Sequence, residues 1–260
     1  MAEYSRSGHI NVINCQNIQE LNEILSKNDD IEHSENVDKN LIRLEPLLFP
    51  STQQGCKYRV LFPFCGNSAD IMHVAKLGHE VVALEPFSLV VEDFFKKEDL
   101  LYHRKTSNRD NNFQVYSSKN PELNITIYHG DFFKCGLKIL NKFDVVWDNG
   151  LWNNIKSNER FSYINCIKSL VHKNTKYCLE NITYDKSVHI NQPFSCQHNK
   201  LLSYFSHYFN VKRLYFYEDD LSKKIYRVDS FVKTYYLLTL RTNLPIVSID
   251  LTTGRVQNEL

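Results

Sequence analysis

At 260 residues the chain has room for one large α/β domain with a full core, or for two small ones. Hydrophobic residues at 42% and charged residues at 23% sit near globular averages, which excludes wholesale disorder, and 8 Gly with 7 Pro exclude collagen-like and low-complexity classes. Lys+Arg at 31 against Asp+Glu at 30 leaves a net charge of +1, without the basic excess that holds a protein to nucleic acid by counterion release.

No apolar run approaches the roughly 18–20 residues that span a bilayer, so no membrane association is expected. The opening residues, MAEYSRSGHINV, lack the apolar stretch of a leader peptide and predict a cytoplasmic protein. The 7 cysteines, at 15, 56, 65, 135, 166, 178 and 196, include no C-x-x-C pair. They read as reduced thiols serving as small apolar residues, and no metal site is expected. Nothing in the pattern signals oligomerisation, so a monomer is expected.

Residues 1–57 read as a helical and polar extension that could act as a lid. One amphipathic stretch covers Ile18–Ser26, and a second, Val37–Leu47, places Leu41, Leu44 and Leu48 on one face. A main domain is expected over 58–245, with a tail at 246–260. Tyr58–Pro63 is a continuous apolar run, read as a buried strand, closed by the turn Cys65-Gly66-Asn67. Helical spacing follows over Asp70–Lys76, then a strand at Glu80–Leu84 ending in Glu85, and a helix over Ser88–His103. Lys105–Leu123 is polar and reads as a loop with a short strand at Phe113–Tyr116. Further strands are expected at Asn124–Tyr128, Phe143–Trp147 and Thr175–Leu179, with a helix at Glu159–His172. A helix at Asn199–Tyr208 precedes two late strands, Val211–Tyr217 and Val232–Arg241, joined by an acidic turn.

Strand, turn and helix alternate three times, predicting a Rossmann-like α/β fold: a mostly parallel seven-stranded sheet, helices on both faces, and a late antiparallel strand pair. Such sheets bind ligands at the carboxyl ends of their strands. At those ends stand the Gly66 turn, Glu85 nineteen residues later, and Asp131 with Phe132 after the third strand. A carboxylate about twenty residues past a glycine turn suits two adjacent ribose hydroxyls, because its two oxygens accept both protons in a fork. Asp131 falls where a side chain could meet a nucleoside base, and Phe132 offers that base a flat ring. Spacing alone leaves a nicotinamide cofactor and S-adenosylmethionine both open.

Particular segments narrow this. Arg59-Val60-Leu61-Phe62-Pro63-Phe64-Cys65-Gly66, followed by Gly78-His79-Glu80-Val81-Val82-Ala83-Leu84-Glu85, resembles the thiopurine S-methyltransferase family, in which a VFFPLCGK-like turn leads to a GHxVVGVE-like strand. Lys142-Phe143-Asp144-Val145-Val146-Trp147-Asp148-Asn149-Gly150 is similar to that family's KFDxIWDRG segment. Tyr184-Asp185-Lys186 with Pro193-Phe194 parallels its YDP…PPF loop, and Tyr235-Tyr236-Leu237-Leu238-Thr239 its final strand.

The resemblance, which runs from about Tyr58 to Arg241, implies methyl transfer from S-adenosylmethionine to the sulfur of a small aromatic or heterocyclic thiol. It also implies that Phe64, Cys65 and Gly66 contact the donor, Glu85 its ribose, and Asp131 with Phe132 its adenine. Asn149 stands where the family has Arg, replacing a forked cation by a neutral amide. The family's amino-terminal tryptophans are missing: the tryptophans here are Trp147 and Trp152, and Glu32-His33 stands where a Phe-His pair is expected. A weakened lid predicts a changed acceptor or a lower rate. No catalytic base is assigned; Asp148 and Asp185 are nearest by position, and His189 and His198 lie in the loop over the strand ends.

Overall fold

The apolar runs become the middle of a sheet. In the computed structural model, which describes residues 36–50, 55–136 and 138–242 together with the backbone of 247–249 and 256–258, the run after Tyr58 forms β1 (Arg59–Phe62). Val60, Leu61 and Phe62 are all buried, as a strand covered on both faces requires. A helix, α1 (Lys39–Leu48), precedes β1, and α2 (Ala69–Lys76) follows it. Next come β2 (Glu80–Glu85), α3 (Ser88–Lys97), β3 (Tyr102–Thr106), β4 (Gln114–Ser118) and β5 (Ile125–His129). The second half holds β6 (Phe143–Asp148), the short α4 (Leu151–Asn154), α5 (Arg160–Leu170), β7 (Val171–Thr183), α6 (His198–Phe205), β8 (Phe209–Glu218), α7 (Asp220–Tyr226) and β9 (Val232–Leu240). Two further short strands, β10 (Val247–Ile249) and β11 (Val256–Asn258), pair with each other.

The main sheet has nine strands in the order β3-β4-β5-β2-β1-β6-β7-β9-β8. The central run β5-β2-β1-β6-β7 is parallel, and both flanks are antiparallel. Chain order grows outward from β1 through β2 to β5, then crosses back to β6 on the other side of β1. That reversal opens a crevice at the carboxyl end of β1, where the Gly66 turn lies. Alternation along the central strands feeds two cores. Val60, Phe62, Val81 and Ala83 join α1, α2 and α3 on one face, while Leu61, Val82 and Leu84 join α4, α5 and α6 on the other.

The α/β class, the two helical layers and the late antiparallel strands are as expected; the strand count is corrected from seven to nine. The helix expected over Ser88–His103 stops at Lys97, where Asp99 takes a left-handed φ of 50° and the N–H of Leu100 donates back to the Phe95 carbonyl at 2.8 Å. The chain turns there and runs out as β3, pairing Tyr102 with Ser118 through Thr106 with Gln114. From His103 onward β3 is exposed, so it has no buried face to write an alternating pattern. Its charged side chains suit an edge strand, which they guard against further pairing.

Two other boundaries also shift. β7 begins directly after Leu170, with a register break opposite Phe143/Val145, instead of at Thr175. The acidic turn after β8 is the helix α7, whose N-cap Asp219 accepts from the Ser222 N–H at 3.1 Å. Leu41, Leu44 and Leu48 of α1 are buried against the sheet, so this part of the 1–57 segment packs into the core. The stretch Ile18–Ser26 and His33 lie outside the described residues.

Gly130, just after β5, shows how tightly the rim is packed. A methyl group there would come within 2.5 Å of the Phe113 ring, which is itself fully buried. Gly130→Ala should therefore destabilise the protein by about 1–3 kcal/mol, the usual cost of overpacking a core, read as a lower urea midpoint. An unchanged midpoint would mean that Phe113 yields freely.

Candidate functional site

The crevice is built from three strand ends. After β1 the chain bends through Phe64, Cys65 and Gly66 before α2, whose N-cap Ser68 accepts from the Asp70 N–H at 3.2 Å. Gly66 has a φ of +53°, and a side chain added there would meet no protein atom within 4 Å. It thus combines a left-handed backbone with open space in front of it, which is what close approach of a ligand to the main chain requires. The N–H of Cys65 donates to the Leu84 carbonyl at 3.1 Å, fixing the turn to the end of β2. Burial pushes the Cys65 thiol well above its ordinary pKa, helped by the Glu85 charge, so it is an inert packing residue.

Glu85, the last residue of β2, is fully buried. Its Oε2 accepts from the Gly66 N–H at 3.0 Å and its Oε1 from the Phe87 N–H at 3.2 Å. Burial pushes its carboxyl up to about 8, against these two hydrogen bonds, which pull it down. Two backbone donors leave acceptor capacity on both oxygens. Asn67 adds a buried Oδ1 without a hydrogen-bond partner among the described residues, while its Nδ2 donates to Asp93 at 2.7 Å. A buried carboxylate with spare acceptors, an open glycine and an orphaned amide oxygen on one turn are the features a polyhydroxylated sugar would satisfy.

Asp131 and Phe132 follow β5 as expected in sequence, with definite local roles. Asp131 caps its own turn, accepting from the Phe133 N–H at 2.9 Å. The Phe132 ring lies inward, 5.4 Å from Tyr163, and the exposed ring is Phe133. Phe64 is half-buried against the α4–α6 core. Glu85 and Gly66 are thus in direct contact, while Asp131 and Phe132 border the adjoining strand end.

Asn149 makes a contact that sequence reasoning missed. Its Nδ2 donates to Oδ2 of Asp38, the N-cap of α1, at 2.7 Å. The Asp38 N–H donates to Asp70 Oδ1 at 2.8 Å, and Trp147 Nε1 donates to Asp70 Oδ2 at 3.1 Å. Asn40 continues the belt, donating to the Tyr235 hydroxyl at 3.0 Å, and Tyr235 donates to Glu180 Oε2 at 2.6 Å. The start of α1 is thereby tied across the ends of β6, β7 and β9. The one local signal was the capping pair Asp38-x-Asn40, which marks a helix start but names no distant partner.

The candidate bases are occupied. Asp148 is buried and accepts from the Leu151 N–H at 3.1 Å, the Tyr177 hydroxyl at 3.0 Å and the Tyr163 hydroxyl. Asp185 is exposed and caps Ser187 at 2.9 Å. His198 Nδ1 pairs with the Tyr236 hydroxyl at 2.8 Å, and His189 Nε2 with the Gln192 carbonyl at 3.2 Å. Among the described residues no cluster of His, Cys, Asp or Glu could hold a metal ion, and no helix is long and apolar enough to cross a membrane.

Burial raises Glu85 to about 8, and Asp70 and Asp148 to about 6 each. A carboxyl raised in the folded state holds its proton there after the unfolded chain has lost it. Its contribution to stability is therefore full below the unfolded pKa and declines as pH rises to the folded pKa. His79 and His129, lowered by burial, act in the opposite direction near neutrality. Comparing wild type with Glu85→Gln isolates the first effect: between pH 5 and 8 wild type should lose on the order of 2–4 kcal/mol relative to the variant. Parallel stability curves for the two proteins would show that Glu85 does not titrate in this window.

A model of the thiopurine S-methyltransferase family matches residues 27–240. The thiopurine S-methyltransferase of Rattus norvegicus is 30% identical over 70% of this chain and 75% of its own, and that of Equus caballus is 28% identical over 70% and 74%. Among solved structures, a TehB-like methyltransferase from Corynebacterium glutamicum superposes with a TM-score of 0.53 at 11% identity, covering 86% of this chain and 100% of that one. The 1,6-didemethyltoxoflavin-N1-methyltransferase of Burkholderia thailandensis gives 0.54 at 11%, covering 85% and 86%, so both share the fold. The family match removes the nicotinamide alternative that spacing had left open, and with it the chain belongs to the thiopurine S-methyltransferase family and is an S-adenosylmethionine-dependent methyltransferase acting on a small molecule.

Proposed function

We propose that the protein methylates the sulfur of a small aromatic or heterocyclic thiol. The donor would lie along the crevice, with its ribose on Glu85, its backbone-facing side on Phe64, Cys65 and Gly66, its adenine beside Asp131 and Phe132, and its methionyl end toward Asn149. The observation that carries this reading is the 3.0 Å contact between Glu85 and the Gly66 N–H, which presents a buried carboxylate and an open turn to one ligand.

When bound, S-adenosylmethionine supplies a methyl group already activated on a sulfonium sulfur. The task left to this chain is positioning and the exclusion of water. Glu85 orients the sugar by accepting its hydroxyls, and the Gly66 turn lets it approach the main chain. The belt from Asp38 through Asn149 holds α1 over the strand ends. Aromatic thiols are substantially ionised near neutral pH, so no strong general base is needed. The saturated hydrogen bonding of Asp148 agrees with that.

A second reading is favoured by Asn149, whose amide is committed to Asp38 in place of the family's Arg. A neutral group there supplies no charge to an anionic acceptor, which suits a divergent member with another small-molecule acceptor or a low thiol activity. Turnover of a panel of aryl and heterocyclic thiols with labelled donor separates the two readings. Methylated thiol products support the first, and donor binding without thiol turnover supports the second. We also take the protein to act as a cytoplasmic monomer without nucleic-acid partners, in keeping with its near-neutral charge and its charged edge strand β3.

Glu85→Ala should weaken S-adenosylhomocysteine binding by about 1.5–3 kcal/mol in calorimetry, as loss of a charge-assisted hydrogen bond does. Because the Glu85 carboxyl ionises only near pH 8, wild-type affinity should also rise from pH 6.5 to 8.5. Glu85→Gln should abolish that rise. A folded Glu85→Ala variant with unchanged affinity would place the donor elsewhere.

A further inference from the structure

Arg160, the first residue of α5, is only 1% exposed, so a permanently charged guanidinium sits inside the protein. Neither its Nε nor its Nη2 has a hydrogen-bond partner among the described residues. No ion pair found among those residues involves Arg160. Nε and Nη2 lie along one edge of the guanidinium and together form its side-on fork, the edge that meets an anion with two parallel N–H donors. The faces of the group are already used: its Cζ lies 4.5 Å from the Trp152 ring and 5.7 Å from that of Tyr204. The Cys196 thiol lies within side-chain hydrogen-bonding reach of the guanidinium, and this contact together with the positive charge pulls its pKa down, against the burial that pushes it up. Tyr184 feels the same positive charge.

A buried cation with two idle donors and no carboxylate partner is costly, because aromatic faces replace only part of its lost hydration. Water can occupy the donors but does not neutralise the charge. We propose that the Nε–Nη2 edge of Arg160 binds a small monovalent anion, chloride or a carboxylate of formate size. One such ion satisfies both donors and cancels the charge in a single contact. The enclosure sets the size limit, since Trp152, Cys196, Tyr184 and Tyr204 are all buried around the group. The bound ion would join α4, α5 and the segment entering α6 behind the rim. It shares no residue with the Glu85–Gly66 turn, so the proposal is independent of how the donor binds.

The test is thermal unfolding of the full chain at constant ionic strength, with a bulky sulfonate replaced stepwise by chloride or by formate. The Tm of wild type should rise with the logarithm of anion concentration above the dissociation constant, by roughly 5 °C across the titration. Arg160→Met should show no anion dependence. Arg160→Lys keeps the charge but loses the fork, and should need about tenfold more anion for the same shift. A rise with chloride, formate or both supports the proposal and identifies the ion. No rise in wild type, or an equal rise in the variants, overturns it. Should Arg160→Met fail to fold, wild-type crystals grown in bromide decide: an anomalous peak against Nε and Nη2 supports the site. Density for water alone at that edge, or an adventitious ion only, bound elsewhere or without effect on Tm, rules it out.

Discussion

The rim of the sheet is organised around one polar contact, the Glu85 carboxylate against the N–H of Gly66 at 3.0 Å. It links the last residue of β2 to the turn after β1, and so fixes where α2 begins and how the crevice opens. Burial makes ionisation of this carboxyl expensive, which is why it titrates near 8 instead of in the ordinary carboxylate range. Keeping an acid under such conditions costs stability as the pH rises toward 8, while both of its oxygens retain acceptor capacity beyond the two backbone donors. The Cys65–Leu84 backbone bond ties the same turn to the end of β2 a second time.

A second constraint closes the rim from the other side. Asp38 caps α1 and simultaneously accepts from Asn149, while its own N–H reaches Asp70. Further along the same helix, Leu41, Leu44 and Leu48 bury against the sheet. Apolar packing fixes the angle of α1, and the polar belt fixes its start over β6. An arginine at position 149 would carry its charge into this belt; asparagine reaches the same carboxylate as a neutral donor. The asparagine therefore closes the belt without adding a charge to it.

Much of the sheet was legible in the chain because parallel strands covered on both faces are continuous apolar runs. Val60–Phe62, Val81–Leu84 and Val145–Trp147 announce themselves in that way. The Gly66–Glu85 offset was legible for a related reason: both residues lie next to such runs, so their places at strand ends follow from counting. β3 was not legible, because its outward residues are charged and its pairing is decided by β4. The break at Asp99 was hidden as well, since a left-handed aspartate leaves no mark in a run that is otherwise good helix.

What the chain determined by itself was the α/β class, the order of its buried strands and the carboxylate–glycine pair, together with a family likeness carried on short motifs. These are local or periodic properties, set by residues adjacent in sequence and by what water rejects. Only the tertiary structure decided that Asn149 answers to Asp38 and that Asp148 is consumed by two tyrosines. It alone decided that Arg160 is sealed against Trp152 with two donors unspent. Those outcomes pair side chains distant in sequence, and hydrogen bonds and buried charges acquire partners only once packing has set who stands within three ångströms of whom.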